Sequence, residues 1–157
     1  MVKFGINGWC WAYPFYDEKQ FTHAISRARR IGYDGVEIPI EDQSKLDVSR
    51  LRKCLKKHDI VATGSTAPTP DLLSSKKRVR DEAVRTFRRN IEIVNDLQGE
   101  YLVTVPSKVG KIRPELPSDE ERSLSIETLR ELGDYAKDNN IFLVIEPLNR
   151  FETYFIN

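Results

Sequence analysis

Residues 142–153 read FLVIEPLNRFET. The first four form an apolar run with the length of one β-strand, and Pro147 ends that strand because proline cannot donate a hydrogen bond to a strand ladder. Glu146 therefore directly follows a strand that the pattern predicts to be buried. A buried carboxylate costs several kcal/mol unless a cation, a metal ion or a network of donors compensates it. Glu146 is thus either paired with a lysine or arginine at the strand end or has a functional role.

The rest of the chain alternates between predicted strands and predicted helices. Strands are predicted at residues 3–7, 34–40, 60–64, 100–105 and 142–145, and helices at residues 17–31, 47–58, 76–97 and 118–139. Because a helix lies between successive strands, we expect parallel strands joined by right-handed crossovers. An open doubly wound sheet and a (β/α)8 barrel both have this order. No Gly-x-Gly-x-x-Gly motif follows the first strand, which disfavours a dinucleotide-binding sheet.

Two segments carry a resemblance to a known family. Residues 146–153, EPLNRFET, resemble the fifth-strand signature of sugar isomerases and epimerases with a xylose-isomerase-like barrel, and are most similar to the D-tagatose/D-psicose (allulose) 3-epimerase branch. Residues 32–38, GYDGVEI, are similar to the start of the second strand in the same superfamily. The resemblance implies an α/β fold of the (β/α)8 TIM-barrel type. It also implies a metal-dependent ketose isomerase or epimerase that transfers a proton through an enediolate.

The same resemblance implies roles for individual residues. Glu146 would be a catalytic acid/base and a ligand of a divalent metal ion (Mn²⁺, Mg²⁺ or Co²⁺), and Glu152 would bind the sugar substrate. Members of the epimerase branch often carry an aromatic residue at the end of the first strand, where this sequence has Asn7. Asn7, Trp9 and Trp11 are therefore the predicted substrate contacts on this side, and the resemblance does not decide which sugar is bound.

The aromatic loop that contains these tryptophans, residues 8–15, has two interpretations. Its rings line a sugar pocket, or they form a hydrophobic plug beneath the loop. Cys10 in this loop has no neighbouring histidine, so an unreactive thiol is favoured over a nucleophile.

The length of the chain conflicts with a complete barrel. Such a barrel needs about 250 residues, and this chain has 157. In the resembled family, strands six to eight supply three further metal ligands, and strand eight supplies the second acid/base. We therefore expect residues 1–157 to be the N-terminal half of a barrel, with about four βα units and a fifth strand. Whether this half is an enzyme by itself stays open.

Two other functions are compatible with parts of the sequence. The chain could be a catalytically inactive half barrel that associates with itself or with a second chain, because open strand edges favour association. A homo-oligomer is accordingly expected. A DNA-repair endonuclease with a related barrel is disfavoured, since the chain has only two histidines and neither has a metal-ligand partner four residues away.

Composition excludes several classes of partner. The chain is 39% hydrophobic and 31% charged, with a formal net charge of +1, so no overall charge attracts nucleic acid or an acidic membrane. The basic helix at residues 76–97 is instead predicted to pack against the acidic helix at residues 118–139. The absence of a long apolar run and of a signal-peptide pattern predicts a cytoplasmic protein without a membrane span. The partner expected is a small-molecule sugar.

Five further residues carry local predictions. Glu37 alternates with apolar residues in the second strand, so it points into a barrel interior or makes a salt bridge. Ser118 and Glu121 have the spacing of a capping box that starts the fourth helix. Lys108 and Lys111, in the preceding loop, are candidate contacts for an anionic group of a substrate.

Overall fold

The computed structural model describes residues 2–68 and 70–156. Five parallel strands form one sheet in which spatial order follows chain order, namely β1 (Gly5–Asn7), β2 (Gly35–Pro39), β3 (Val61–Thr66), β4 (Tyr101–Thr104) and β5 (Phe142–Ile145). Because the strands are parallel, their carboxyl ends lie at the same edge of the sheet. Functional side chains at the ends of different strands are therefore brought to one side of the molecule.

Four α-helices connect these strands, namely α1 (Glu18–Ile31), α2 (Val48–Lys57), α3 (Lys77–Asp96) and α4 (Ser118–Asp138). A short 3₁₀-helix, Gly8–Cys10, follows β1. The alternation of strand and helix confirms the predicted α/β, TIM-barrel-like fold. None of the helices in the described part of the chain is both long enough and apolar enough to cross a membrane.

The main core lies between the sheet and the helices. Ile38 of β2 and Leu102 of β4 are fully buried there, together with Ile25 of α1, Ile91 of α3 and Leu132 of α4.

Helix α1 begins and ends where its local signals predict. The Asp17 carboxylate accepts hydrogen bonds from the first-turn amides, and Gly32 has the left-handed backbone (φ 107°) of a helix C-cap.

The start of α4 differs from the prediction. The residue before the helix is Pro117, and no side chain caps this terminus, so the predicted capping box of Ser118 and Glu121 is wrong. The Glu121 carboxylate instead accepts hydrogen bonds from the backbone N–H groups of Glu115 and Leu116, at 3.0 and 3.4 Å. The carboxylate therefore holds the preceding loop, and its tertiary partners replace the local cap.

A β-bulge interrupts the pairing of β2 with β3. Val36 lies opposite Ala62, but Ile38 lies opposite Ser65, so two residues of β3 oppose the single residue Glu37. The extra residue redirects the following side chains of β3, as bulges do near functional sites. Strand β3 continues beyond this irregularity to Thr66, which pairs with Pro39 and lies two residues past the predicted end.

The burial predicted for β5 is wrong. Phe142 is 73% exposed, and Val144 and Ile145 are both nearly half exposed. Within the described residues β5 pairs only with β4, so one edge of the strand and much of its surface have no neighbour. An apolar strand is buried only when other elements cover it.

The predicted pairing of oppositely charged helices is confirmed. Arg88 of α3 forms an ion pair with Glu131 of α4 at 2.7 Å, and its guanidinium lies 4.9 Å from the centre of the Tyr135 ring. The Tyr135 hydroxyl also donates a hydrogen bond to Glu92 of α3 at 2.8 Å. These contacts account for part of the basic charge of α3 without a nucleic acid.

Candidate active site

Four side chains from four strands form a hydrogen-bonded group on the inner face of the sheet. Asn7 of β1 donates to Oε1 of Glu37 on β2 at 2.5 Å, and the hydroxyl of Tyr101 on β4 donates to Oε2 of Glu37 at 2.7 Å. Thr63 of β3 lies 3.3 Å from the same hydroxyl. Among residues 2–68 and 70–156 Glu37 makes no ion pair. Of the two alternatives for Glu37, the structure therefore agrees with a side chain on the inner face of the sheet and not with a salt bridge.

The environment of Tyr101 follows from this group. Burial raises the pKa of its phenol, the hydrogen bond from Thr63 opposes that change, and the nearby Glu37 carboxylate adds to it. Tyr101 therefore remains a neutral donor at neutral pH. Sequence reasoning missed Tyr101 and Thr63, because the bulge that brings them to Glu37 depends on strand pairing.

Asn7 uses both ends of its side-chain amide. Its oxygen accepts a hydrogen bond from the Trp9 backbone N–H at 2.9 Å and so caps the 3₁₀-helix, while its nitrogen donates to Glu37. Asn7 thus joins the end of β1 to the inner hydrogen-bonded group. It is one of the predicted substrate contacts and lies at the carboxyl edge of the sheet.

Trp9 is held at the same edge by Glu41, which follows β2. The indole N–H of Trp9 donates to Oε1 of Glu41 at 2.5 Å, and the backbone N–H of Phe15 donates to the same oxygen at 2.9 Å. The second carboxylate oxygen of Glu41 is buried and has no partner among the described residues. The Trp9 side chain is 40% exposed. Its ring is thus oriented but still accessible to a ligand.

The structure does not place Trp11 with Trp9. The Trp11 ring packs edge-on against Tyr33, with ring centres 6.1 Å apart, and the Arg27 guanidinium lies 5.1 Å from its centre. Arg27 lies in α1, and Tyr33 lies in the connection between α1 and β2. The Trp11 ring is therefore in the outer, helical layer of the fold. Within the same loop Phe15 is fully buried and Tyr13 is 75% exposed. The aromatic loop is therefore part plug and part accessible surface.

Glu146 lies at the carboxyl end of β5. Its backbone N–H donates to the carbonyl oxygen of Thr104 at 3.1 Å and extends the pairing of β5 with β4. Its side chain is exposed and, in the described part of the chain, forms neither an ion pair nor a side-chain hydrogen bond. The alternative in which a lysine or arginine pairs with Glu146 therefore has no support in this structure.

Glu152 lies on the segment that follows Glu146. The Asn149 side-chain amide donates a hydrogen bond to the Glu152 carboxylate, and the Glu152 backbone N–H donates to the Asn149 carbonyl oxygen at 3.0 Å. The Glu152 carbonyl oxygen accepts a 2.7 Å hydrogen bond from the backbone N–H of Gly110, in the loop after β4. A compact turn attached to a neighbouring loop therefore holds this exposed carboxylate.

The two lysines of the β4–α4 loop differ in their surroundings. Lys108 is exposed. The Lys111 side chain is only 9% exposed, and its ammonium group forms an ion pair with Asp71 at 3.0 Å. Lys111 is thus committed to an internal partner, so the prediction that it meets an anionic group of a substrate is not supported.

Comparison with known proteins agrees with this geometry. The family model described as xylose isomerase-like TIM barrel matches residues 25–157. The chain belongs to the xylose isomerase-like TIM barrel family. The parallel strands and the carboxylates after β5 agree with the sequence resemblance.

The relatives of this chain are ketose 3-epimerases. It is 29% identical over 137 residues to an L-ribulose 3-epimerase of Methylomonas sp. (strain DH-1), covering 85% of the chain and 48% of that protein. It is 26% identical over 163 residues to a D-psicose 3-epimerase of Agrobacterium fabrum (strain C58 / ATCC 33970), covering 99% and 56%.

A solved epimerase structure is similar to this chain in both fold and sequence. D-allulose 3-epimerase from Methylomonas sp. in complex with D-allulose superposes with a TM-score of 0.90 at 26% identity, covering 99% of this chain and 55% of that one. The chain spans about half the length of the curated relatives it matches.

The residues present do not by themselves fit a metal site. No group of three or more histidine, cysteine, aspartate or glutamate side chains capable of holding an ion occurs within residues 2–68 and 70–156. Glu146 offers a single carboxylate, whereas Mg²⁺ and similar ions require several oxygen ligands. Any metal centre of this barrel family would need ligands from outside the described residues.

Proposed function

We propose that the protein carrying this chain is a sugar isomerase or epimerase that acts on a ketose and transfers a proton through an enediolate. In this proposal, residues 1–157 are the N-terminal half of its TIM-barrel domain. The sequence similarity to ketose 3-epimerases supports this class of reaction. The observation that carries the proposal is the exposed Glu146 carboxylate, which has no ion-pair partner in the described part of the chain and lies at the carboxyl end of β5. Barrels of this type place their active sites at that edge.

Glu146 is the catalytic acid/base in this proposal. A carboxylate that is free of internal partners can accept a proton from the carbon next to a ketose carbonyl and return it. Inversion at that carbon requires a second group on the opposite face of the substrate. That group lies outside the residues described, so this half barrel supplies one of the two proton-transfer positions.

Glu152, Asn7, Trp9 and Trp11 are the proposed substrate-binding residues. Glu152 is held by its turn with its carboxylate at the surface, where it can accept hydrogen bonds from sugar hydroxyls. Trp9 presents a partly exposed ring beside Asn7, and the apolar C–H face of a sugar can pack on such a ring. Trp11 is the weakest member of the set, because its ring contacts Tyr33 and Arg27.

A divalent ion (Mn²⁺, Mg²⁺ or Co²⁺) is the proposed cofactor of the complete enzyme, with Glu146 as one ligand. This part of the proposal rests on the family resemblance. A small-molecule sugar is the proposed partner, with no nucleic acid, and the proposed location is the cytoplasm.

A second candidate function is an inactive half barrel that associates with itself or with a second chain. The exposed apolar side chains of Phe142, Val144 and Ile145 favour association at β5. A homo-oligomer is proposed on the same ground. Sedimentation of the purified chain, with Phe142→Thr as the variant, tests this candidate, and a monomer at high concentration would exclude it.

The proposed activity is tested by exchange of substrate hydrogen. The complete protein is incubated with D-psicose or L-ribulose in deuterated water, and deuterium incorporation beside the carbonyl is followed by NMR. Glu146→Gln is expected to lower the rate at least about a hundredfold, the usual contribution of a general acid or base. Glu127→Gln is the matched control, because Glu127 is exposed near the middle of α4 and is not one of the proposed site residues. Full activity of Glu146→Gln would overturn the assignment.

A further inference from the structure

One buried ammonium group lies among three carboxylates beside the proposed site. Lys111, in the β4–α4 loop, donates to Oδ2 of Asp71 at 3.0 Å and to the carbonyl oxygen of Leu73 at 2.7 Å. Both partners belong to the β3–α3 connection. Since the Lys111 and Asp71 side chains are only 9% and 10% exposed, this ion pair is well shielded from solvent. It joins two loops at the carboxyl edge of the sheet.

Two further carboxylates complete this group, which we call the Lys111 cluster (Lys111, Asp71, Glu115 and Glu121). Glu115 Oε1 lies 3.5 Å from the Lys111 nitrogen, and Glu121 Oε1 lies 4.0 Å from it. The Glu121 side chain is 1% exposed. A carboxylate buried to this degree requires compensation, and Lys111 is the cation that the cluster contains.

The segment after β5 is attached to the Lys111 cluster. The Tyr154 hydroxyl donates to the Glu121 carboxylate, and the Tyr154 backbone N–H donates to the carbonyl oxygen of Lys111 at 3.3 Å. Two residues earlier, the Glu152 carbonyl oxygen accepts from Gly110. The Thr153 hydroxyl between them is buried and donates to the Ser107 hydroxyl at 3.0 Å. Consecutive residues 152–154 are thus each fixed to the β4–α4 loop or to α4.

Glu115 also connects the cluster to the start of α3. Its carboxylate accepts hydrogen bonds from the backbone N–H and the hydroxyl of Ser75, both at 2.8 Å. The backbone N–H of Ser75, followed by its hydroxyl and the Lys111 charge, lowers the pKa of Glu115 to about 2. The Glu115 carboxylate therefore keeps these hydrogen bonds near neutral pH.

We infer that Lys111 is a positioning residue for Glu152. The Lys111 cluster fixes the β4–α4 loop, and that loop holds residues 152–154, so the direction of the Glu152 carboxylate depends on an ammonium group that does not itself contact substrate. The functional part of this inference rests on the proposed role of Glu152 in binding a ketose.

The test compares Lys111→Met and the double variant Lys111→Met/Asp71→Asn with wild type in the complete protein. The double variant also neutralises Asp71, the carboxylate that lies nearest to the Lys111 ammonium group. It leaves fewer negative charges without a cation, so it is the variant to use if Lys111→Met does not fold. Lys108→Met is the matched control for the hydrogen-exchange measurement, since this lysine lies in the same loop and is exposed. Amide hydrogen exchange at Gly110 and Tyr154 reports the attachment directly.

Loss of the cluster is expected to raise exchange at these two amides at least about tenfold, while amides of α1 keep wild-type protection. Where the double variant retains the wild-type melting temperature, KM for the ketose is expected to rise about tenfold or more, with a smaller change in kcat. Unchanged exchange at Gly110 and Tyr154 would overturn the inference. So would faster exchange accompanied by an unchanged KM.

These readouts separate the inference from the proposed function. An absence of epimerase activity in wild-type protein would refute the function, and with it the role of Lys111 in positioning a substrate-binding residue. Hydrogen exchange would still decide whether Lys111 holds residues 152–154.

Discussion

The hydroxyl of Tyr101 donates a 2.7 Å hydrogen bond to Oε2 of Glu37, although β3 separates their two strands. The contact depends on Gly64 of β3, which the Tyr101 ring closely approaches. A Cβ atom at position 64 would lie 2.6 Å from the ring and 2.5 Å from the Tyr101 carbonyl oxygen. A residue without a side chain therefore allows the inner hydrogen-bonded group to form.

Gly64→Ala is expected to destabilise the fold by about 1 to 3 kcal/mol, the usual cost of overpacking. The added methyl group would displace Tyr101 and weaken its hydrogen bond to Glu37. Urea denaturation measures the change in the free energy of unfolding.

Gly133→Ala is the control, because Gly133 lies in α4 with no atom of another element within 4 Å of an added Cβ. The control is expected to stabilise the protein by about 0.5 to 1 kcal/mol. Equal effects of the two substitutions would contradict the close approach.

Tyr101→Phe removes the donor and keeps the ring. We expect a loss of about 1 to 2 kcal/mol, because Oε2 of Glu37 would remain partly buried without its partner. Tyr13→Phe provides the comparison, since Tyr13 is 75% exposed, and it should change the free energy of unfolding by less than about 0.5 kcal/mol. A Tyr101→Phe variant as stable as wild type would show that the hydrogen bond makes no net contribution.

The lowered pKa of Glu115 predicts that the stability of the fold depends on pH. Its pKa is about 2 in the folded protein, below the ordinary value of 4.5. A lowered carboxyl pKa stabilises the fold above the unfolded-state value, and that stabilisation is lost as pH falls from about 4.5 toward about 2. Glu115→Gln should therefore lower the urea midpoint at pH 7, with a difference from wild type that shrinks as pH falls below 4.5. Because the Glu115 side chain is 42% exposed, solvent screening keeps the effect small.

The control for this series is Glu127→Gln, which removes an exposed carboxylate near the middle of α4 that has no ion pair in the described part of the chain. At pH 7 it should change the urea midpoint less than Glu115→Gln does, because the described residues give Glu127 no ion pair to lose. A difference between Glu115→Gln and wild type that does not shrink as pH falls would contradict the lowered pKa of Glu115.

Metal binding distinguishes an incomplete site from an assembled one. Calorimetric titration of residues 1–157 with Mn²⁺ is expected to show no tight binding, because Glu146 is a single carboxylate and no group of metal-ligating side chains accompanies it in the described residues. Glu146→Gln should behave like wild type in this titration. Tight binding that Glu146→Gln abolishes would contradict this expectation and indicate that another copy supplies ligands. Under the proposed function, a chelator is expected to abolish epimerisation by the complete protein.

The secondary structure was largely predictable because its signals are local. The Asp17 cap and the left-handed Gly32 enclose α1 within one residue of its predicted range. The end of β3 was not predictable, since the bulge opposite Glu37 arises from pairing with β2. The burial of β5 was predicted wrongly from its apolar residues, because the exposure of Phe142 depends on which elements cover the strand.

The sequence by itself determined the alternating order of strands and helices, the family, and the place of Glu146 directly after β5. These properties depend on residues close together in the chain. Only the tertiary structure decided that Lys111 pairs with Asp71, 40 residues away, and that Tyr101 reaches Glu37. The physical reason is that a charge or hydroxyl in a sequence has many possible partners, and the packing of the loops and strands selects among them.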